Sequence, residues 1–204
     1  MKHIKKYSIT FMLIFLLAGC SFLSPKGPSD ASLSIKPYTL SEHEGLLFAR
    51  AGADIPQFFT VNGKIAEDED LKYSVEVYHE GKFKEELLLT SSTVDKQFKG
   101  ELIAFNVMEL DEKQAEILLS YPSGSTSTTY PIEVANLSRS FGNLVGTDFT
   151  LLKDKPTYLA VWVGTKGSML RSVTPSDNGG LPEDLEAYDI AFLYKVVWTD
   201  AGRE

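Results

Sequence analysis

Leu71-Lys72-Tyr73-Ser74-Val75-Glu76-Val77 alternates apolar and polar side chains at every step, and a second run, residues 83–90, follows after His79-Glu80-Gly81-Lys82. A period of two sends successive side chains to opposite faces, so each run reads as a β-strand with one face in a core. Gly81 reaches positive φ without steric cost. The two runs and the short link between them therefore predict a β-hairpin with Gly81 in its tight turn.

The same texture continues outward in both directions. Strand-like runs occupy residues 45–50, 57–61, 98–108, 116–121, 128–134, 147–152, 157–164 and 188–199, and turn residues separate nearly all of them: Asn62-Gly63, Pro122-Ser123-Gly124, Asn143, Gly146 and Asp154-Lys155-Pro156. Helix signals are confined to Asp111-Glu112-Lys113-Gln114-Ala115 and Pro182-Glu183-Asp184-Leu185, each long enough for one turn. Many short strands without βαβ alternation predict an all-β fold: an antiparallel β-sandwich, loosely immunoglobulin-like in shape, with one or two short helical turns.

Two late runs, residues 158–163 and 190–197, lack clean alternation, which predicts burial on both faces, as central strands or beneath a loop. Simple parity puts Leu159, Val161 and Val163 on one face and Tyr158, Ala160 and Trp162 on the other. On that reading Trp162 and Tyr158 are candidates for an aromatic ligand-contact platform. Trp198, in step with Phe192, Tyr194 and Val196, reads as core. Residues 165–187 form a connection rich in Gly, Ser, Pro and Asp, long enough to suggest a functional loop.

The N-terminal segment carries a different signal. Lys2, Lys5 and Lys6 precede an apolar run, residues 9–17, with the anatomy of an export signal and too short to span a bilayer comfortably. Leu17-Ala18-Gly19-Cys20 ends it, and this tetrapeptide resembles the lipobox of bacterial lipoproteins. The resemblance implies cleavage before Cys20 and a diacylglyceryl group on its sulfur. Cys20 is the chain's one cysteine, and a thioether to lipid would account for an unpaired thiol in an exported protein.

The expected organisation is a signal peptide over residues 1–19, a lipidated cysteine and flexible tether over 20–34, and one extracytoplasmic β-sandwich domain over 35–204. Residues 21–34 include two prolines, a glycine and five serines, a composition that buries little. Removing the signal would leave 17 basic against 28 acidic side chains, a formal charge of −11. Such a surface repels nucleic acid, and the expected contact with the cell membrane is through lipid on Cys20.

No nucleophile elbow, phosphate-binding loop, H-E-x-x-H or S-x-x-K motif occurs. His43, between Glu42 and Glu44, and His79, at the hairpin turn, read as surface residues. Glu67-Asp68-Glu69-Asp70 offers clustered carboxylates to a hard cation such as calcium but reads first as a solvated turn, and Asp177-Asn178-Gly179-Gly180 with Asp184 is a second weak calcium candidate. The polar run 123–129 reads as a hairpin loop entering a strand, with an adhesive edge as its alternative.

These readings lead to an expectation of a non-enzymatic binding or accessory protein on the extracytoplasmic face of the cell membrane, without a cofactor, engaging an envelope protein or an extracellular ligand. The alternative is an extracytoplasmic hydrolase with its site near residues 165–187. A two-lobed solute-binding protein is disfavoured by length and strand pattern.

Overall fold

A computed structural model describes residues 31–91, 96–133, 136–167 and 171–202. The signal segment, the lipobox with Cys20 and the first part of the tether lie outside the described residues.

Among the described residues, eleven strands and one α-helix follow in chain order: β1 (Ser32–Pro37), α1 (Glu42–Ala51), β2 (Gln57–Lys64), β3 (Glu69–His79), β4 (Lys82–Ser91), β5 (Gln97–Asp111), β6 (Gln114–Tyr121), β7 (Gly124–Pro131), β8 (Ser138–Asn143), β9 (Phe149–Thr150), β10 (Pro156–Thr165) and β11 (Ile190–Asp200). They form a six-stranded sheet, β7-β6-β5-β2-β1-β9, and a five-stranded sheet, β4-β3-β11-β10-β8. Every pairing is antiparallel, and the two open sheets form the expected sandwich.

The core lies between the sheets. Leu71, Tyr73, Val75 and Val77, the apolar half of the opening alternation, meet Phe59, Ile103, Phe105, Ile117 and Leu119 of the opposite sheet there, together with Phe192, Tyr194 and Val196. Trp198 belongs to the same cluster, as its spacing predicts. The opening hairpin also forms: Glu80 and Gly81 both have positive φ, 49° and 74°, the pattern of the two-residue turn that matches strand twist.

Four sequence expectations change. Ser32–Ser34 belong to β1, so the domain begins before residue 35: Leu33 and Ile35 alternate into the core although the surrounding serines read as tether. Residues 45–50 are helical, not a strand. Ser41 and Glu44 form a capping box, with the Ser41 hydroxyl accepting from the Glu44 N–H and the Glu44 carboxylate accepting from the Ser41 N–H, and Gly52 closes the last turn in the left-handed region. Residues 111–115 make the β5–β6 hairpin turn, not a helical one.

Asn62-Gly63 is likewise no turn but lies inside β2, paired with β1 on one side and β5 on the other. Gly63 has φ 122°, and a Cβ there would lie 1.9 Å from the Ser32 carbonyl oxygen. The absence of a side chain is what lets β1 close on β2. In addition, β8 falls in a stretch with no strand reading, Ser-Arg-Ser-Phe-Gly-Asn. Among the described residues no helix is long and apolar enough to cross a membrane.

Candidate functional site

The ends of β3, β7, β10 and the beginning of β11 meet at one end of the sandwich and enclose an open cleft of about 480 Å³. Pro131, Ile132, Leu137 and Ile190 supply its apolar walls, and His79, Glu80, Glu133, Lys166 and Asp189 supply its polar rim. Burial of apolar wall with a few polar groups at the edge is the usual composition of a small-ligand or side-chain pocket.

The rim is held by specific bonds. Asp189 accepts from the Thr165 hydroxyl at 3.0 Å and from the Lys166 N–H at 2.8 Å, and the latter chiefly holds its carboxyl below the ordinary carboxylate value. The Asp189 carbonyl accepts from the Glu80 N–H at 3.3 Å, and the Gly81 backbone abuts Glu186 so closely that a Cβ would lie 2.9 Å from the Glu186 nitrogen. The hairpin tip is thus docked on the short 3-10 helix Leu185–Ala187 that ends the long loop. His79 is exposed at the mouth, with Nε2 3.2 Å from the Tyr130 hydroxyl, which itself lies 3.4 Å from Glu85 Oε1. Burial raises the Tyr130 hydroxyl's pKa, and the Glu85 charge adds to the effect.

The aromatic platform read from parity does not assemble. The β10–β11 register shifts between Tyr158 and Ala160, and this bulge turns the following residues over. Trp162 then lies in the inter-sheet core with Leu159 and Ala160, while Tyr158 lies on the outer face with Val161 and Val163. They are 5% and 6% exposed. Leu185, Tyr188 and Val173 of the long loop cover that outer face, so both faces of β10 and β11 are buried, as their lack of alternation predicts.

Tyr158 instead belongs to a buried polar network. Glu76 Oε2 accepts from the hydroxyls of Tyr78 and Tyr158, each at 2.8 Å, and Glu76 Oε1 accepts from Lys195 Nζ at 2.5 Å. Lys195 also reaches Glu86 at 2.6 Å, and Glu86 accepts from the Ser74 hydroxyl at 2.5 Å. Burial opposes the Lys195 charge, but its two carboxylate partners outweigh this and raise its pKa. Tyr78 is pushed up to about 12, mainly by burial and by donating to Glu76. Spacing in sequence gives no sign of this cluster, whose members come from β3, β4, β10 and β11.

The acidic run 67–70 is not a solvated turn throughout. Glu69 and Asp70 are each 3% exposed. Glu69 accepts from Lys153 Nζ at 2.6 Å, the Ala66 N–H at 2.9 Å and the Trp198 indole N–H at 3.0 Å, a set of donors supplied wholly by the protein. In the loop, Asn178 Oδ1 accepts from the Ser176 hydroxyl and the Gly180 N–H, and Asp184 accepts from the Thr174 N–H. No group of three or more His, Cys, Asp or Glu side chains placed to hold a metal ion occurs among the described residues. His43 is exposed on α1.

These carboxylates set an acid limit. Burial alone would raise Glu69 and Glu86, but their hydrogen-bonded donors hold both below the ordinary value. Groups lowered on folding contribute stability in full above their unfolded pKa, about 4.3 for a glutamate, and lose it as pH falls through the lower folded values. The urea midpoint is expected to stay level from about pH 7 to pH 5 and to fall steeply below about pH 4, less steeply in Glu69→Gln. A level midpoint down to about pH 3 would contradict this.

Compared with models of known protein families, with curated proteins and with solved structures, the chain matches none.

Proposed function

We propose that the protein is a lipid-anchored, extracytoplasmic binding or accessory protein of the bacterial cell envelope. It would take a small ligand, or a side chain of an envelope partner, into the cleft formed by His79, Ile132, Leu137, Lys166 and Ile190. The cleft carries this reading: its apolar walls exclude water from a guest, and its rim offers both charge signs for orienting one. Leu17-Ala18-Gly19-Cys20 supports the address, since acyl chains on Cys20 would confine the domain to the membrane surface and raise its effective concentration for partners there.

Both parts have direct tests. Cys20 is expected to incorporate labelled fatty acid, and processing is expected to stop when lipoprotein signal peptidase is inhibited; failure of either removes the anchor. A photoreactive residue at Ile132 in the anchored full chain is expected to capture one discrete ligand or partner, with severalfold lower yield in Leu137→Asp. Equal capture from a photoreactive residue at Leu47 on α1, which does not line the cleft, would argue against the cleft.

One observation favours the hydrolase alternative: the chain of contacts from Glu85 through Tyr130 to His79 at the cleft mouth. It predicts turnover of a hydrolase probe that falls at least a hundredfold in both His79→Ala and Tyr130→Phe while the fold stays intact. Unchanged turnover in these variants would remove that alternative.

A further inference from the structure

The four edge strands of this sandwich are treated differently. β9 is two residues long, β8 carries Arg139 and is short, and β4 carries Lys82, Lys84, Glu85 and Glu86 and breaks register twice, with Leu88 at φ 56°. Short length, charge and bulges are the devices by which sheet edges avoid pairing with other chains. β7 has neither charge nor bulge, and its one protective residue is Pro131 at its last position. Gly124–Pro131 reads Gly-Ser-Thr-Ser-Thr-Thr-Tyr-Pro, carries no charge, and pairs with β6 in unbroken register over all eight residues.

The free side of β7 has a definite pattern. The Ile132 N–H donates to the Lys113 carbonyl at 2.9 Å, which continues the β6–β7 ladder and identifies the even-numbered residues as its hydrogen-bonded partners. By the alternation of an antiparallel ladder, the N–H and C=O groups of Ser125, Ser127 and Thr129 then point away from β6. Among the described residues no strand pairs with β7 on that side, and β4 of the other sheet approaches it through Tyr130 and Glu85. Pro131, next in that series, has no N–H, so the open edge ends after Thr129.

We propose that this edge is a self-association surface, on which the β7 strands of two copies pair antiparallel about a two-fold axis through Ser127. In that register Ser127 faces the second copy's Ser127, and Ser125 faces the second copy's Thr129. All three open residues become hydrogen-bonded pairs, giving about six main-chain bonds. On the core side Thr126 opposes the second copy's Thr128, a favourable cross-strand pair, and Tyr130 lies opposite the second copy's Gly124.

A second copy fits better than a foreign strand for two reasons. Recognition of a foreign strand takes its specificity from pockets for alternate side chains, whereas Ser125, Ser127 and Thr129 present only small exposed hydroxyl side chains. The chain's formal charge of −8 opposes the approach of two copies, and β7 is a neutral strip along which that opposition is least. The proposal does not depend on the cleft or on the lipid anchor.

The test is the mass of the full chain in detergent solution, measured by light scattering over a range of protein concentrations with the detergent contribution removed. The unaltered chain is expected to be a dimer. Ser127→Pro removes the outward N–H at the two-fold without touching the β6 ladder, and Ser127→Lys sets two ammonium groups against each other; each is expected to weaken association at least tenfold with unchanged circular dichroism. Should Ser127→Pro perturb the fold, Ser127→Lys decides alone. A monomer at every concentration, a dimer indifferent to Ser127→Lys, or a photoreactive residue at Ser127 that captures only a different protein would each overturn the proposal.

Discussion

Lys195→Met is expected to destabilise the fold by about 3 kcal/mol, the low end of the range for removing one partner of a buried ion pair. Lys195 pairs with both Glu76 and Glu86, at 2.5 and 2.6 Å, and its side chain is 14% exposed. Methionine fills a similar volume and leaves the buried Glu76 carboxylate without its counter-charge. Glu76 keeps the hydroxyls of Tyr78 and Tyr158, which satisfy its hydrogen bonding but not its charge. Adding Glu76→Gln to Lys195→Met is therefore expected to restore a large part of the loss, because the amide oxygen still accepts from both tyrosines. Urea unfolding of the two variants checks this. Equal stability of Lys195→Met and the unaltered protein would mean that the network contributes nothing beyond its packing.

Gly63→Ala is expected to cost about 3 kcal/mol, at the upper end of what a strained backbone position imposes on a residue with a side chain. Two effects act together. At φ 122° an alanine is strained by its own backbone, and its Cβ would overlap the Ser32 carbonyl. Neither Ser32 nor Gly63 can yield without opening the β1–β2 ladder, which runs in register from Ser32↔Lys64 to Pro37↔Phe59. Hydrogen exchange should report the damage first in β1, and proteolysis should then cut near residue 32. If Gly63→Ala leaves exchange in β1 unchanged, the close approach is not what holds that strand.

How much of this was legible in the sequence depends on whether local pattern and tertiary position agree. The opening hairpin was legible because alternation, turn glycine and core face all agree. The parity of β10 was not, because one bulge beside Tyr158 reverses every face after it, and nothing in Tyr-Leu-Ala-Val-Trp-Val marks its position. The capping box of α1 is present as Ser41-Glu42-His43-Glu44, yet the apolar Leu46-Leu47-Phe48 that follows reads locally as strand. β1 was hidden by its serines, although Leu33 and Ile35 alternate as core residues do. For the cleft, His79 and Tyr130 stand 51 positions apart and meet only through the packing of the two sheets. The length and composition of residues 165–187 mark an unusual connection, but not that it covers the outer face of β10 and β11 and places Lys166 on the cleft.

The position of β11 has a consequence in time. The last strand in sequence lies in the middle of its sheet, flanked by β3, more than a hundred residues earlier, and by β10. Until residues 190–200 have emerged, β3 and β10 have no partner between them, and their apolar stripes stay open. The five-stranded sheet can therefore close only once residues 190–200 are present, and a topology so dominated by distant pairings folds slowly. The six-stranded sheet, complete by Thr150, can form first, so the two halves of the sandwich mature in order, and the face that waits is the one β11 closes.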